Sequence, residues 1–321
     1  MLVPPGELYD PLEIIPDRDC VLLNDDGLES GGHGSRLLAV SLTGKISELV
    51  GASQLLPMTG FDLAPQGFGN FAGQAFALSQ PATGMNGASA NHVIQRIDLA
   101  TKTTSVFCTL PTSGSVAKGV AGYGFEARFG PPHSRFANRL FSVTALNDTI
   151  YETTADGTCR PFADTSPIGA PGGIAFAPDG SEMLVAMAPD MFPSADSKPK
   201  GGIFRISSDG KINPNPVITG IVGPSGIAFA PPSFGKYAGQ IFVTDTGNMQ
   251  VPVPQAKPLK PDGTIYRVNQ QGELTLVASG FINPVCLCFV NEHLLISDIN
   301  GDFIAGGREL PDGFLVQLDR D

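Results

Sequence analysis

The sequence predicts an all-β fold: a six-bladed β-propeller whose four-stranded antiparallel blades surround a central tunnel. Three observations carry this. A unit with a period of roughly 50 residues recurs about six times, a spacing that marks ringed or stacked repeats. Each copy holds four short apolar runs, none long enough for a helix, bounded by turn residues. Gly 39 and Pro 28 in 321 residues supply the tight turns of such a meander. One copy cannot bury both faces of its sheet, but copies in a ring bury them against each other. The array spans the sequence, so 1–321 reads as a single domain.

Within a copy the runs read as strands A to D, from the tunnel outward. Strand A is "TGFDLAPQ", "YGFEARFGPP", "GGIAFAPDG", "SGIAFAPP" and "PVCLCFVNE". Strand B is "CVLLNDDG", "QAFALSQ", "RLFSVTAL", "EMLVAMAP", "QIFVTDTGN" and "HLLISDING". Strand C is "RLLAVSLTG", "VIQRIDLAT", "TIYETTADG", "GIFRISSDG", "TIYRVNQQG" and "GFLVQLDRD", and strand D is "KISELV", "TSVFCTL", "CRPFAD", "PVITG" and "LTLVASG". Glycine turns such as "ADG" and "SDG" join C to D. The sixth copy stops after strand C. The N-terminal "YDPLEIIPD" therefore either completes that last blade or forms the inner strand of the first, and both roles close the ring without a free edge.

In such a meander the D-to-A and B-to-C links share one rim, and the A-to-B and C-to-D links share the other. The B-to-C links are long, as in "DGLESGGHGS", "PATGMNGASANH" and "TGNMQVPVPQAKPLKPD". Function concentrates in loops held by a rigid scaffold, so this rim, over the tunnel mouth, is where a site is expected. The A-to-B links "PQGFGNFAG", "PPHSRFAN" and "PPSFGKYAG" share one design and read as structural turns.

Composition narrows the partners. The chain is 42% hydrophobic and 16% charged, with a formal net charge of -11 and no Lys/Arg cluster. That argues against nucleic acid and anionic membranes and suits cations or a neutral small-molecule substrate. No apolar run reaches a membrane span, and the first residues lack a basic region followed by an apolar stretch, so the chain reads as soluble with no signal peptide in it, either cytoplasmic or exported after removal of a signal. The five cysteines, Cys20, Cys108, Cys159, Cys286 and Cys288, have no metal-binding spacing, and Cys286-x-Cys288 reads as a pair of buried thiols.

"GPSGIAFAPP…GQIFVTDTGN…GTIYRVNQQG" resembles NHL-repeat units, and the whole chain is similar to the six-bladed SMP-30/gluconolactonase-like propellers. "LLNDDG", "FVTDTGN" and "LISDING" match the end of strand B in that group. The resemblance implies a divalent cation, often calcium, at the tunnel mouth, and metal-assisted hydrolysis of a small-molecule lactone or ester. Two departures stand out. Gly172 and Ser225 lie where the group offers Asn or Asp at the start of an inner strand, and Asp10 in "YDPLE" is the nearest substitute for its N-terminal Glu.

Several residues could carry chemistry. Asp62 and Glu126 interrupt apolar inner strands on neighbouring blades, where a buried carboxylate needs a cation, an arginine or a donor. Arg128 lies two residues past Glu126 and so points to the same side. The pair reads either as packing within the blade or as a tunnel-facing site. In the second case Glu126 is a metal ligand or general base, Asp62 a metal ligand, and Arg128 a substrate contact. At the strand-B ends, Asp245 and Asp298 read as caps of the B-to-C turn. Asn24, Asp25 and Asp26 exceed the repeat in charge, which makes Asp25 a metal ligand candidate and Asn24 and Asp26 substrate contacts. His33 and His92 fall on the B-to-C rim and are candidate catalytic bases. His133 and His293 fall on the opposite side. A lyase or isomerase using a His or Glu base, and a non-enzymatic ligand- or protein-binding propeller, are the alternatives to hydrolysis.

Overall fold

A computed structural model describes residues 1–27, 34–79, 92–111, 124–144, 148–188, 201–247, 262–269, 271–299 and 313–319. Six four-stranded antiparallel sheets form a ring. Blade 1 is β2 (Pro11–Asp17), β3 (Cys20–Gly27), β4 (Gly34–Ser41) and β5 (Ile46–Val50). Blade 2 is β6 (Met58–Leu63), β7 (Ala75–Ser79), β8 (Val93–Asp98) and β9 (Thr103–Thr109). Blade 3 is β10 (Gly124–Phe129), β11 (Arg139–Thr144), β12 (Thr149–Thr154) and β13 (Cys159–Asp164). Blade 4 is β14 (Ala170–Phe176), β15 (Met183–Ala188), β16 (Gly201–Ile206) and β17 (Ile218–Ile221). Blade 5 is β18 (Pro224–Phe229), β19 (Ile241–Asp245), β20 (Gly263–Val268) and β21 (Leu274–Phe281). Blade 6 is β22 (Pro284–Val290), β23 (His293–Asp298), β24 (Gly313–Asp319) and β1 (Val3–Leu8).

The N-terminus fills both roles that the sequence left as alternatives. β1 pairs with β24 as the outer strand of blade 6, and two residues later β2 begins as the inner strand of blade 1. The ring is thus closed by hydrogen bonds between the two chain ends, and neither end leaves an unpaired inner edge.

The core lies between blades, because strand period puts alternate residues on opposite faces. Val21 and Leu23 of blade 1 pack on Cys286, Cys288 and Leu295 of blade 6, while Leu22 and Leu37 pack on Phe61 and Ala77 of blade 2. The A-to-B links add to these layers. Each drives one phenylalanine inward, Phe68, Phe136 and Phe234, all buried, which bears out their reading as structural turns. Phe68 meets Phe76 and Phe129 edge-on at centroid distances of 5.2 and 4.7 Å, so one link joins blades 2 and 3. No helix among the described residues is long and apolar enough to cross a membrane.

Candidate functional site

The inner strands bring charge to the axis from three blades. Glu13 of β2, Asp62 of β6 and Glu126 with Arg128 of β10 form one network with Cys286 of β22. Arg128 Nε donates to Glu126 Oε1 at 2.5 Å and Nη2 donates to Glu13 Oε1 at 2.7 Å. The Cys286 thiol donates to the same Glu13 oxygen at 3.0 Å. Glu126 Oε2 accepts from the Ile174 N–H of blade 4 at 2.9 Å. Asp62 accepts from Leu63 N–H at 2.7 Å and Phe129 N–H at 2.8 Å. Five blades therefore meet at one buried cluster, with Arg128 at its centre.

Burial sets the electrostatics. Loss of water raises the Glu13 carboxyl well above the usual range, and Arg128 only partly reverses this. Burial likewise raises Glu126 and Asp62 against the pull of Arg128. Burial opposes the charge of Arg128, but Glu13 and Glu126 more than offset it and hold the guanidinium protonated. Burial pushes the Cys286 thiol well up, with Glu13 adding to the effect. Glu13 and Glu126 are buried, whereas Asp62 and Arg128 keep part of their surface open, 16% of the side chain for Arg128.

The first-blade triplet is organised differently. Asn24 Nδ2 donates to the Met58 carbonyl at 2.5 Å, and Asp26 accepts from the Ser35 hydroxyl at 2.8 Å. That hydroxyl in turn accepts from Met58 N–H at 2.8 Å, so both residues bind blade 1 to blade 2. Asp25 faces the other way, pairs with Arg36 and accepts from Tyr9 N–H at 2.8 Å. Burial still raises its carboxyl above the usual range.

Asp25 belongs to a repeated device. Asp245 accepts from Val222 and Gly223 N–H, and Asp298 from Ile282 and Asn283 N–H. In each case a strand-B aspartate clamps the D-to-A crossover into its own blade. The expected cap of the B-to-C turn is present at Asp245 in addition to the clamp, since Gly247 N–H donates to it at 2.9 Å. The crossover approaches because strand B ends on the same rim, which a reading of single strands does not reveal.

The histidines divide as follows. His92 is buried, with Nε2 unpartnered, and burial lowers its pKa to about 4, so it is a neutral imidazole at pH 7. His33 lies outside the described residues. His133 sits exposed in the A-to-B link of blade 3, and His293, the first residue of β23 in blade 6, pairs with Asp319 at 2.6 Å.

The structure brings Asp62, Glu126 and Arg128 together and leaves Asn24, Asp25, Asp26 and His92 in separate settings. The ion-pair reading of Glu126 and Arg128 is realised in space. A cation is a different matter. The carboxylates of Asp25, Asp62 and Glu126 are taken up by arginines and N–H donors, and no group of three His, Cys, Asp or Glu among the described residues is arranged to hold a metal. These residues do not fit a divalent ion. Ser225, at one departure from the resembled pattern, gives its hydroxyl to the Val285 carbonyl at 2.9 Å.

Glu13 is the site residue that sequence reasoning missed. Its signal was present: a carboxylate within the apolar run "PLEII", which counts as an inner-strand position once that segment is assigned to blade 1.

No family model and no curated protein sequence matches the chain. Solved structures do. The PQQ-bound form of aldose sugar dehydrogenase from Streptomyces coelicolor superposes with a TM-score of 0.64 at 15% identity, over 99% of this chain and 96% of that one. A gluconolactonase from Xanthomonas campestris gives 0.57 at 12% identity, over 98% and 87%. Virginiamycin B lyase from Staphylococcus aureus gives 0.51 at 16% identity, over 91% and 93%. At such identities the likeness establishes the fold, and the chemistry has to be argued from the side chains.

Proposed function

We propose that the protein is a propeller enzyme that hydrolyses a small-molecule lactone or ester at the tunnel mouth. The observation that carries this is the pair Asp62 and Arg128, a carboxylate and a cation at the axis that both keep open surface. A guanidinium fixed by Glu13 and Glu126 can polarise a carbonyl and hold the oxyanion that develops on it, the task the resembled group gives to its cation. Asp62, its pKa raised by burial, is the base that takes a proton from water. The water oxygen bonds to the carbonyl carbon, the acyl C–O bond breaks, and the leaving alkoxide takes up the proton. The acidic chain favours neutral substrates over anions. The neighbouring folds named gluconolactonase and sugar dehydrogenase are consistent with a small oxygen-rich substrate.

A second reading, proton abstraction by a lyase or isomerase, is favoured by the raised carboxyls of Glu13 and Glu126, which are stronger bases than free carboxylates. Turnover of a panel of lactones and aryl esters in ¹⁸O-water separates the two. Hydrolysis puts label into the acid product, and abstraction does not. Asp62→Asn should lower kcat by about 10²- to 10⁴-fold with KM little changed. Activity that survives chelation supports Arg128 as the polarising group. Activity lost on chelation and restored by calcium assigns that step to a cation instead.

A further inference from the structure

The six joints between blades are not held alike. Two residues link β1 to β2, β17 to β18 and β21 to β22, and Asp25, Asp245 and Asp298 clamp those crossovers. The joint from blade 2 to blade 3 is longer, and among the described residues no aspartate clamps it. Residues 110–123 connect β9 to β10, far more chain than at the clamped joints. Strand β11 ends on Thr144, whose hydroxyl donates to the Thr149 carbonyl of its own blade. A long connection carries a closure entropy that a two-residue link does not, and among its described residues Pro111 is held to blade 3 by the Tyr151 hydroxyl, which donates to the Pro111 carbonyl at 2.9 Å.

At this joint Cys108 of β9 and Cys159 of β13 form a disulfide, with Cα atoms 6.5 Å apart and 51 residues between them in sequence. It bridges the outer strands of neighbouring blades, and it is the one disulfide among the described residues. Below it Phe68, Phe71, Phe76 and Phe107 interlock at centroid distances of 5.0–6.3 Å. The register shows what the bond steadies. Cys108 stands opposite Ile94, and two residues on, Leu110 N–H donates to the His92 carbonyl at 2.8 Å. The bond thus anchors the strand end from which the long crossover leaves, next to buried His92.

We infer that the Cys108–Cys159 disulfide is the clamp of the blade 2–3 joint, standing in for the aspartates of the other half-ring, and that the chain matures in an oxidising compartment. Two thiols give up two protons, and two electrons pass to a disulfide-bearing oxidant that becomes a dithiol. A reducing cytosol would hold the pair as thiols. The other cysteines are poor competitors: Cys286 and Cys288 are buried, the Cys288 thiol is pushed up to about 12 by that burial, and the Cys20 thiol donates to Asp17 O.

The test uses the full chain, expressed into an oxidising compartment and purified without reductant. Alkylation and peptide mapping should recover Cys108 joined to Cys159, with Cys20, Cys286 and Cys288 as thiols. Reduction should lower Tm by about 6 °C, the shift implied by releasing a loop of this length in a domain of this size. Hydrogen exchange should quicken roughly tenfold or more at Leu110 while Val243 of blade 5 stays protected. Cys108→Ser/Cys159→Ser should match the reduced protein and ignore reductant. Should that variant fail to fold, the wild-type pair of measurements decides. Free alkylation of both thiols overturns the inference. So does an unchanged Tm after reduction, or a loosening spread evenly round the ring.

Discussion

The ring of inner strands has two unlike halves. Those of blades 1 to 3 carry Glu13, Asp62, Glu126 and Arg128, and those of blades 4 and 5 carry Gly172, Gly173, Ser225 and Gly226. Long charged side chains fill the first half. In the second, backbone closes on backbone. A Cβ on Gly226 would stand 2.8 Å from Cys286 Cα and from the Val285 carbonyl, and one on Gly173 would clash with the Ser225 carbonyl and come within 2.9 Å of Glu126 Oε2. The two halves depend on each other. Glu126 reaches the Ile174 N–H because Gly173 beside it has no side chain. The same ring thus closes one side by ion pairing together with a close backbone approach at Gly60, and the other by close approach alone.

The comparison can be broken from either half. Arg128→Met should have the largest effect. It leaves Glu13 and Glu126 buried without their cation and should cost about 3–5 kcal/mol at pH 8, read by urea unfolding. The loss should shrink towards pH 5 as the carboxyls take up protons. A loss equal at both pH values would show that packing, not charge, holds this half. Gly226→Ala should come next, at about 1–3 kcal/mol, because the new methyl meets backbone that cannot swing away. Its cost should not vary with pH, and a pH-dependent cost would show that the glycine half and the charged half are one unit.

The smallest expected effect sharpens the charge argument. Glu13 and Glu126 have carboxyls raised in the folded state, so their share of stability is fully present below the ordinary pKa of about 4.5 and is lost as pH rises through the raised values. Wild-type stability should therefore fall as pH climbs above about 5. Glu13→Gln mimics the protonated form and should flatten that fall while changing stability at pH 5 by about 1 kcal/mol or less. Tm measured against pH on the two proteins reads the difference, and parallel curves would remove Glu13 from the titration.

Much of this was legible in the sequence. Strand alternation recurs in every copy and a glycine hairpin joins C to D in four of them, so the blades and their order follow from local pattern. Period also placed Glu126 and Arg128 on one side, and the pair forms. The strand-C ending of the sixth copy foretold that the N-terminus must complete the ring. What the pattern could not supply was distance between blades. Glu13 meets Cys286 across a separation of 273 residues, and Asp245 caps a crossover 22 residues upstream as well as its own turn. Cys108 and Cys159 read as two unrelated thiols until the ring sets their outer strands side by side. A repeat specifies what each blade is, because its hydrogen bonds and pleat are local. Which charge meets which across the axis is decided only when six twisted sheets close on one another, since that closure brings residues from five blades within one hydrogen bond of a shared centre.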